Sequence, residues 1–174
     1  MLYFVIFKSM KDQLYPIVDE KDKIIGYLTK EMAYAKKAML RSVQVFLYNP
    51  QGKLYVQKRG KNKTRYPNYF CASVAGHVEP GESYRKAAIR ELKEELGLKK
   101  IKKLKFITKE KTPVGNDTYA MMALFTIVTD EPITLLKKEV EIGGFYSIKE
   151  IWKLISKKLP FTPAFLHFFA KQHS

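Results

Sequence analysis

The fold of this chain is decided by one stretch, residues 76–98, which reads GHVEPGESYRKAAIRELKEELGL. Ser83 is a residue type that caps helix N-termini, and Gly97 stands where a helix favours glycine at its end. Between them, apolar residues recur at i, i+4 and i+8, the spacing of a buried helical stripe. That stripe consists of Ala88, Leu92 and Leu96. The stretch therefore predicts an amphipathic helix over residues 83–96.

Three carboxylates share one face of this predicted helix. Glu91, Glu94 and Glu95 stand at i, i+3 and i+4, and each like-charged i, i+4 pair costs about 0.2–0.5 kcal/mol on an exposed helix. A bound cation would remove that cost. Carboxylate oxygens are ligands that Mg²⁺ and Mn²⁺ prefer over Zn²⁺. The pattern therefore predicts a Mg²⁺ or Mn²⁺ site on this face.

Composition excludes several classes of protein. The chain has 174 residues, typical of one domain, and 46% of them are hydrophobic, which excludes a disordered polyelectrolyte. Its single cysteine excludes an intramolecular disulfide framework, and no apolar run approaches the ~20 residues of a membrane span. We expect a cytoplasmic protein, because the start shows no basic region or cleavage site of a secretion signal.

Charge is distributed unevenly along the chain. The net charge is +15, yet residues 76–98 carry −1 and the remaining residues +16. An acidic centre within a basic shell favours a phosphorylated anionic ligand. Nucleotides, nucleic acids, diphosphates and membrane surfaces are all such anionic partners, and charge alone does not choose among them.

Hydrophobic patterning along the rest of the chain predicts a mixture of strands and helices. We expect strands over residues 2–7, 15–18, 24–28, 42–48, 53–58, 70–75, 101–108, 119–128 and 144–146, and helices over residues 30–39, 83–96, 148–157 and 163–172. The strand over 53–58 is expected to pair back on the one over 42–48 across the turn Asn49–Gly52. The order lacks strict βαβ alternation, which favours a mixed α/β (α+β) domain.

The decisive stretch resembles the Nudix box. That motif runs Gly, five residues, Glu, seven residues, Arg-Glu, an aliphatic residue, one residue, Glu-Glu, one residue, Gly and an aliphatic residue. Every defined position is satisfied, by Gly76, Glu82, Arg90, Glu91, Leu92, Glu94, Glu95, Gly97 and Leu98. The resemblance implies the Nudix fold, a mixed β-sheet between helices with the box as a loop–helix–loop.

The same resemblance implies an activity and a set of roles. Nudix enzymes hydrolyse a nucleoside diphosphate linked to another moiety, with Mg²⁺ or Mn²⁺. The implied partner is a small diphosphate-bearing substrate, which accounts for the excess positive charge without binding in a DNA groove or to a membrane. The implied metal ligands are Glu91, Glu94, Glu95 and the carbonyl of Ala75. Catalysis is assigned to Glu94 and Glu95, with Arg90 orienting a box glutamate. Gly76, Glu82 and Gly97 would support the box. We expect a single domain over residues 1–174, with an extension over 1–40, the box over 76–98 and C-terminal helices over 148–174.

Further candidates lie outside the box. Glu139, ahead of the late strand over 144–146, resembles the acidic loop of the family and is the candidate general base or extra ligand. Glu141 and a box glutamate are the alternatives. Lys58, Arg59 and His77 are candidates for binding substrate phosphate. A solvated strand end fits Lys58 and Arg59 equally, and for His77 a role in holding the loop by hydrogen bonds is preferred.

Within the family, the chain resembles the branch that contains isopentenyl-diphosphate isomerase and its hydrolase relatives. The isomerase has a catalytic Cys immediately before the Gly-His, where this chain has Ala75; Cys71 lies four residues earlier. The isomerase also takes His ligands from a segment that corresponds to residues 33–41, where this chain has no His. These departures favour a hydrolase.

Three alternatives to a small-molecule hydrolase stay open from the sequence. An enzyme acting on RNA 5′ ends is favoured by basic runs over residues 51–65 and 99–111. Isopentenyl-diphosphate isomerase and a non-catalytic Nudix binding module are the others. Homodimer formation and the identity of the substrate are not readable from the sequence, because specificity lies in loops outside the box.

Overall fold

The computed structural model describes residues 13–135 and 140–174, with side chains for all of these except 140 and 141. The strands are β1 (Tyr15–Val18), β2 (Ile24–Leu28), β3 (Leu40–Tyr48), β4 (Leu54–Arg59), β5 (Phe70–Cys71), β6 (Val74–His77), β7 (Lys105–Gly115), β8 (Thr118–Val128) and β9 (Val140–Tyr146). The helices are α1 (Lys30–Ala35), α2 (Tyr84–Leu96), α3 (Ile148–Ser156) and α4 (Pro163–His173). In these ranges no helix is long and apolar enough to span a bilayer. The strand expected over residues 2–7 lies outside the described residues.

Strand β3 is the centre of a single mixed sheet. It pairs in parallel with β8 along its whole length. Its opposite edge is shared in turn by β1, β6 and β4, which pair with its start, middle and end. β7 extends the sheet beyond β8, β2 lies beyond β1, and β4 carries β5 and β9. This architecture confirms the expected mixed α+β fold.

The expected pairing of β4 with β3 is wrong over most of its length. The two strands meet only at Tyr48 and Leu54 and then diverge, and β4 pairs with β9 instead. Ser73 lies between the diverging strands, where its Oγ accepts from the Leu47 amide at 2.8 Å and donates to the Tyr55 carbonyl at 2.6 Å. A side chain thereby replaces the missing backbone ladder.

Helices cover both faces of the sheet, each over its own hydrophobic cluster. α2 packs against one face through the stripe that the sequence predicts, and all three of its residues are buried: Ala88, Leu92 and Leu96. α4 covers the other face through three buried phenylalanines: Phe165, Phe168 and Phe169.

Several element boundaries differ from the sequence expectation. β7 begins at Lys105 and continues to Gly115, beyond the expected range of 101–108; its lysines are exposed, whereas Thr112 is fully buried. The segment expected as one strand over 70–75 is divided into β5 and β6. α1 ends at Ala35 rather than at residue 39.

Candidate active site

The box helix α2 is fixed at both ends by the residues that the sequence singles out. The Ser83 Oγ accepts a hydrogen bond from the Lys86 amide at 3.3 Å, and Gly97 adopts a left-handed conformation with φ of 68°. Glycine reaches that conformation without the steric cost of a Cβ. The helix is thus held in register over the sheet, and its glutamate face is directed toward β4 and β6.

Arg90 is the charge centre of the box. Its guanidinium donates to both carboxylate oxygens of Glu82 at 3.0 Å, to Glu91 Oε1 at 2.7 Å and to the carbonyl of His77 at 2.9 Å. Glu94 lies farther off, at 3.6 Å from Arg90 Nη1. Partial burial lowers the pKa of Arg90, but its hydrogen bonds to Glu82 and Glu91 outweigh that effect and raise the pKa above its usual value. Arg90 therefore ties the loop, the helix and β6 together.

Gly76 makes room for the carboxylate of Glu91. A Cβ on residue 76 would lie 2.1 Å from Glu91 Oε1 and 2.3 Å from its Cδ, which no real contact allows. Glu91 is only 6% exposed. The first glycine of the box is therefore required by packing against the helix, and Glu91 is buried between Arg90 and the backbone of β6.

Glu95 contacts a residue that the sequence reasoning missed. The side-chain Nε2 of Gln57, on β4, donates to Glu95 Oε2 at 3.2 Å and also to the carbonyl of Ser73. Gln57 is 1% exposed. The sequence feature that could have indicated Gln57 is its position directly after the buried run Leu54–Val56, because a buried amide needs hydrogen-bond partners.

The three box carboxylates do not converge in this arrangement. Within residues 13–135 and 140–174, leaving out the side chains of 140 and 141, no group of three or more His, Cys, Asp or Glu side chains is placed to hold a metal ion. Arg90 holds Glu91 and contacts Glu94, which explains the separation. The donor chemistry nevertheless fits Mg²⁺ or Mn²⁺, because all the candidate donors are oxygens. The side chain of Glu94 is half-exposed, and its contact to Arg90 is long.

His77 lies in a hydrogen-bonded network on the opposite face of β6. Its Nδ1 is 2.9 Å from the Ser42 hydroxyl and its Nε2 is 2.8 Å from the Tyr34 hydroxyl. Burial, and next the charge of Lys30, lower the pKa of His77 to about 3. The ring is therefore neutral near pH 7, and a neighbouring hydroxyl lies within hydrogen-bond distance of each of its two nitrogens. Phosphate binding by His77 stays a prediction that this arrangement does not favour.

The two candidate phosphate-binding residues on β4 are placed at its end. Arg59 donates to the carbonyl of Arg65 through Nε at 3.2 Å and Nη2 at 3.0 Å, which closes the loop over residues 60–69. Lys58 pairs with Phe70 and Ile142 through the backbone ladder. Their phosphate contacts stay predictions. The candidate base Glu139 lies outside the described residues, as does the side chain of Glu141.

The comparisons with known proteins agree with this architecture. The family model of the NUDIX domain matches residues 39–167. The chain belongs to the Nudix family. Among relatives, the Nudix hydrolase SCO1686 of Streptomyces coelicolor is 37% identical over 143 residues, which cover 82% of this chain and 79% of that protein. Isopentenyl-diphosphate Delta-isomerase 1 of Photorhabdus laumondii is 32% identical over 155 residues, 86% of this chain and 88% of that protein.

Solved Nudix structures share the fold at lower identity. The DR0079 protein of Deinococcus radiodurans superposes with a TM-score of 0.81 at 21% identity, covering 93% of this chain and all of that one. The NUDIX domain of Shewanella oneidensis NrtR, in complex with ADP ribose, gives a TM-score of 0.63 at 12% identity, covering 83% of this chain and 97% of that domain. The family match and the Nudix hydrolase relatives show that this protein is a hydrolase acting on diphosphate bonds.

Proposed function

We propose that the protein is a Mg²⁺-dependent hydrolase that cleaves the diphosphate linkage of a nucleoside diphosphate derivative or a similar small diphosphate. The observation that carries the proposal is the organisation of α2, whose glutamates are directed by Arg90, Gly76 and Gln57 toward the sheet edge. A helix that merely packs on a sheet would not need a buried glutamate beside a glycine. We further propose that residues 1–174 form one Nudix domain.

The metal would be held by oxygen donors only. Glu91, Glu94 and Glu95 are the side-chain ligands, and the carbonyl of Ala75 is the backbone ligand. When bound, Mg²⁺ or Mn²⁺ supplies charge neutralisation at the diphosphate and lowers the pKa of a bound water to near neutrality. The chain's own contribution is to position the carboxylates, with Arg90 holding Glu91.

The proton of the attacking water needs a carboxylate acceptor. We propose Glu139, with Glu141 and Glu95 as alternatives. Val140 pairs with Arg59, so the chain enters β9 beside the end of β4 that carries the candidate phosphate ligands. Glu139 immediately precedes this strand in the sequence, which supports its choice as the base.

Substitution of the box glutamates tests the proposal. Glu94→Gln and Glu95→Gln are expected to lower kcat about 10²- to 10⁴-fold, because they remove a metal ligand or base without changing side-chain size. The assay presents Mg²⁺ with ADP-ribose, nucleotide sugars, dinucleoside polyphosphates and prenyl diphosphates, and measures phosphate and diphosphate release separately. Glu31→Gln, an exposed residue of α1, is the matched control. Undiminished turnover in both box variants would refute the proposal.

The isomerase reaction has less support from the residues. Ala75 offers no proton donor at the position of the isomerase cysteine, and Cys71 lies on β5, paired with Gln57. Burial raises the pKa of the Cys71 thiol to about 12, so it is not a thiolate near pH 7. Conversion of isopentenyl diphosphate to its isomer without release of phosphate would overturn our preference.

A second candidate function is action on RNA 5′ ends. A groove of about 500 Å³ runs between the loop after α2 and the end of β8, and three lysines line it: Lys100, Lys102 and Lys103. Such a surface attracts a phosphate backbone, although Asp130 and Glu131 line the same groove. RNA affinity that falls steeply with salt, together with pyrophosphate release from 5′-triphosphate RNA, would favour it. Ligand binding without any turnover would instead indicate a binding module.

A further inference from the structure

Two different side chains, those of Arg90 and Gln57, orient the glutamates of the box. Arg90 reaches Glu82, Glu91 and Glu94 with a cationic guanidinium. Glu95 is reached by the neutral amide of Gln57, at 3.2 Å. A neutral donor fixes the direction of a carboxylate without cancelling its charge, whereas a guanidinium does both. Gln57 therefore orients Glu95 without adding a positive charge of its own.

The amide of Gln57 is itself held by a rigid support. Its Nε2 also donates to the carbonyl of Ser73, whose side chain joins β3 to β4 where these strands diverge. Ser73 is fully buried. Gln57 therefore extends from the point where β3 and β4 diverge to the box helix, and two hydrogen bonds restrict its side chain.

The same arrangement carries a local cost. The Oε1 of Gln57 is buried and has no hydrogen-bond partner among the described atoms. A buried amide oxygen without a partner is unfavourable for the folded state. What distinguishes Gln57 is its Nε2, which donates to both the Ser73 carbonyl and Glu95 Oε2.

We propose that Gln57 is a positioning residue that directs the carboxylate of Glu95 into the metal site. This inference rests on the proposed function and names a residue outside the box on which that function depends. Gln57 acts only through Glu95 and contacts neither substrate nor metal. Positioning partners of metal ligands commonly affect metal affinity or activity by 10- to 100-fold.

Gln44 provides a matched control for Gln57. It is also a buried glutamine, 2% exposed, and its Oε1 also has no hydrogen-bond partner among the described atoms. Its neighbours Val43 and Val45 belong to the cluster under α2, so by strand alternation Gln44 faces away from the box. Gln44→Leu therefore reproduces the change in burial and polarity without touching Glu95.

The experiment compares Gln57→Leu and Gln57→Met with Gln44→Leu in the full chain. Mn²⁺ binding to the metal-free protein is measured by electron paramagnetic resonance, alongside kcat, KM and Tm. We expect both Gln57 variants to bind Mn²⁺ about 10-fold more weakly and to lose about 10- to 100-fold in kcat, with KM and Tm near wild type. Gln44→Leu is expected to match wild type in Mn²⁺ affinity and kcat.

Three outcomes would overturn the inference. Wild-type Mn²⁺ affinity and kcat in either folded Gln57 variant would show that Glu95 needs no such partner. An equal loss in Gln44→Leu would show a general packing effect. A wild-type protein that neither binds Mn²⁺ nor hydrolyses any diphosphate would overturn the proposed function together with this inference, which distinguishes the two failures.

Discussion

The carboxylate of Glu91 lies against the backbone of Gly76, in the space that a Cβ would fill. A methyl group there would approach Glu91 Oε1 to 2.1 Å. The same carboxylate is held by Arg90 at 2.7 Å. The glycine that opens the box and the glutamate on its helix are therefore a single packing unit, although fourteen intervening residues separate them in the sequence.

Gly76→Ala is expected to disable the enzyme by displacing Glu91. The added methyl group must push the carboxylate or β6 aside, and such overpacking typically costs about 1–3 kcal/mol of unfolding free energy. We expect kcat to fall about 100-fold or more, because misplacing a ligand by about 1 Å is costly in catalysis. Urea denaturation and steady-state kinetics measure the two effects.

Gly26→Ala is the control for this substitution. A Cβ at Gly26, on β2, would meet Ile17 at 3.5 Å, an ordinary contact distance. Wild-type kinetics in Gly26→Ala combined with wild-type kinetics in Gly76→Ala would show that the close approach of Gly76 to Glu91 has no functional weight.

Arg90→Lys is expected to impair the box although it preserves the charge. A lysine ammonium cannot reproduce the two parallel bonds to Glu82 together with those to Glu91 and the His77 carbonyl. We expect kcat/KM to fall about 10- to 100-fold and unfolding free energy to fall by about 1–3 kcal/mol. Arg85→Lys on the same helix, whose original side chain donates to the Leu104 carbonyl, is the control. Equal effects of the two substitutions would contradict a special role for Arg90.

His77 makes the stability of the fold depend on pH between neutrality and mild acid. Its folded-state pKa is lowered from 6.5 to about 3, mainly by burial. Between these two pH values His77 is protonated in the unfolded chain but not in the folded chain. Its contribution to the unfolding free energy is therefore complete above about pH 6.5 and is lost as the pH falls toward 3. We expect unfolding free energy to drop by about 1–2 kcal/mol from pH 7 to pH 5 through this group.

The test compares urea denaturation at pH 7 and pH 5 for wild type and His77→Asn. Carboxyl groups with lowered folded pKa values, such as Asp22 and Glu110, lose their contributions at lower pH, because their usual pKa values are 3.8 and 4.5. The burial of His173 adds a smaller effect of the same sign to both proteins. An unchanged pH dependence in His77→Asn would rule out His77 as its source.

Local signals were enough to predict the box helix. The Ser83 cap, the Gly97 terminator and the apolar stripe all act within a few residues of one another, and the structure confirms each. The mixed α+β architecture also followed from alternating patterns along the chain and from the box. These features need no knowledge of which distant segments meet.

The features that the sequence did not reveal depend on distant contacts. β4 leaves β3 after a single residue pair because β9, about eighty residues later, offers a full ladder. Gln57 could not be linked to Glu95, since no spacing rule joins a strand to a helix 38 residues away. The divergence of β3 and β4, filled by Ser73, creates the point from which Gln57 reaches the box.

Asp22 is expected to stabilise the fold far more than its neighbour Glu20, although both carboxylates pair with lysines. Asp22 lies in the turn between β1 and β2 and accepts from Arg41 Nε at 2.7 Å, from the Tyr84 hydroxyl at 2.8 Å and from Lys109. Its side chain is 10% exposed, whereas that of Glu20, paired with Lys111, is 76% exposed.

Asp22→Ala is expected to lower the unfolding free energy by about 2 kcal/mol, because hydrogen bonds to a buried charged group are worth more than those in water. Its three partners belong to β3, α2 and β7, so their loss releases the hairpin from three elements at once.

Glu20→Ala is expected to change stability little, because solvent screens its ion pair. Urea denaturation at pH 7 measures both variants, and equal stability of the two would contradict an anchoring role for Asp22. Because Tyr84 is the first residue of α2, we also expect Asp22→Ala to lower activity modestly through the box helix, while Glu20→Ala leaves activity at the wild-type level.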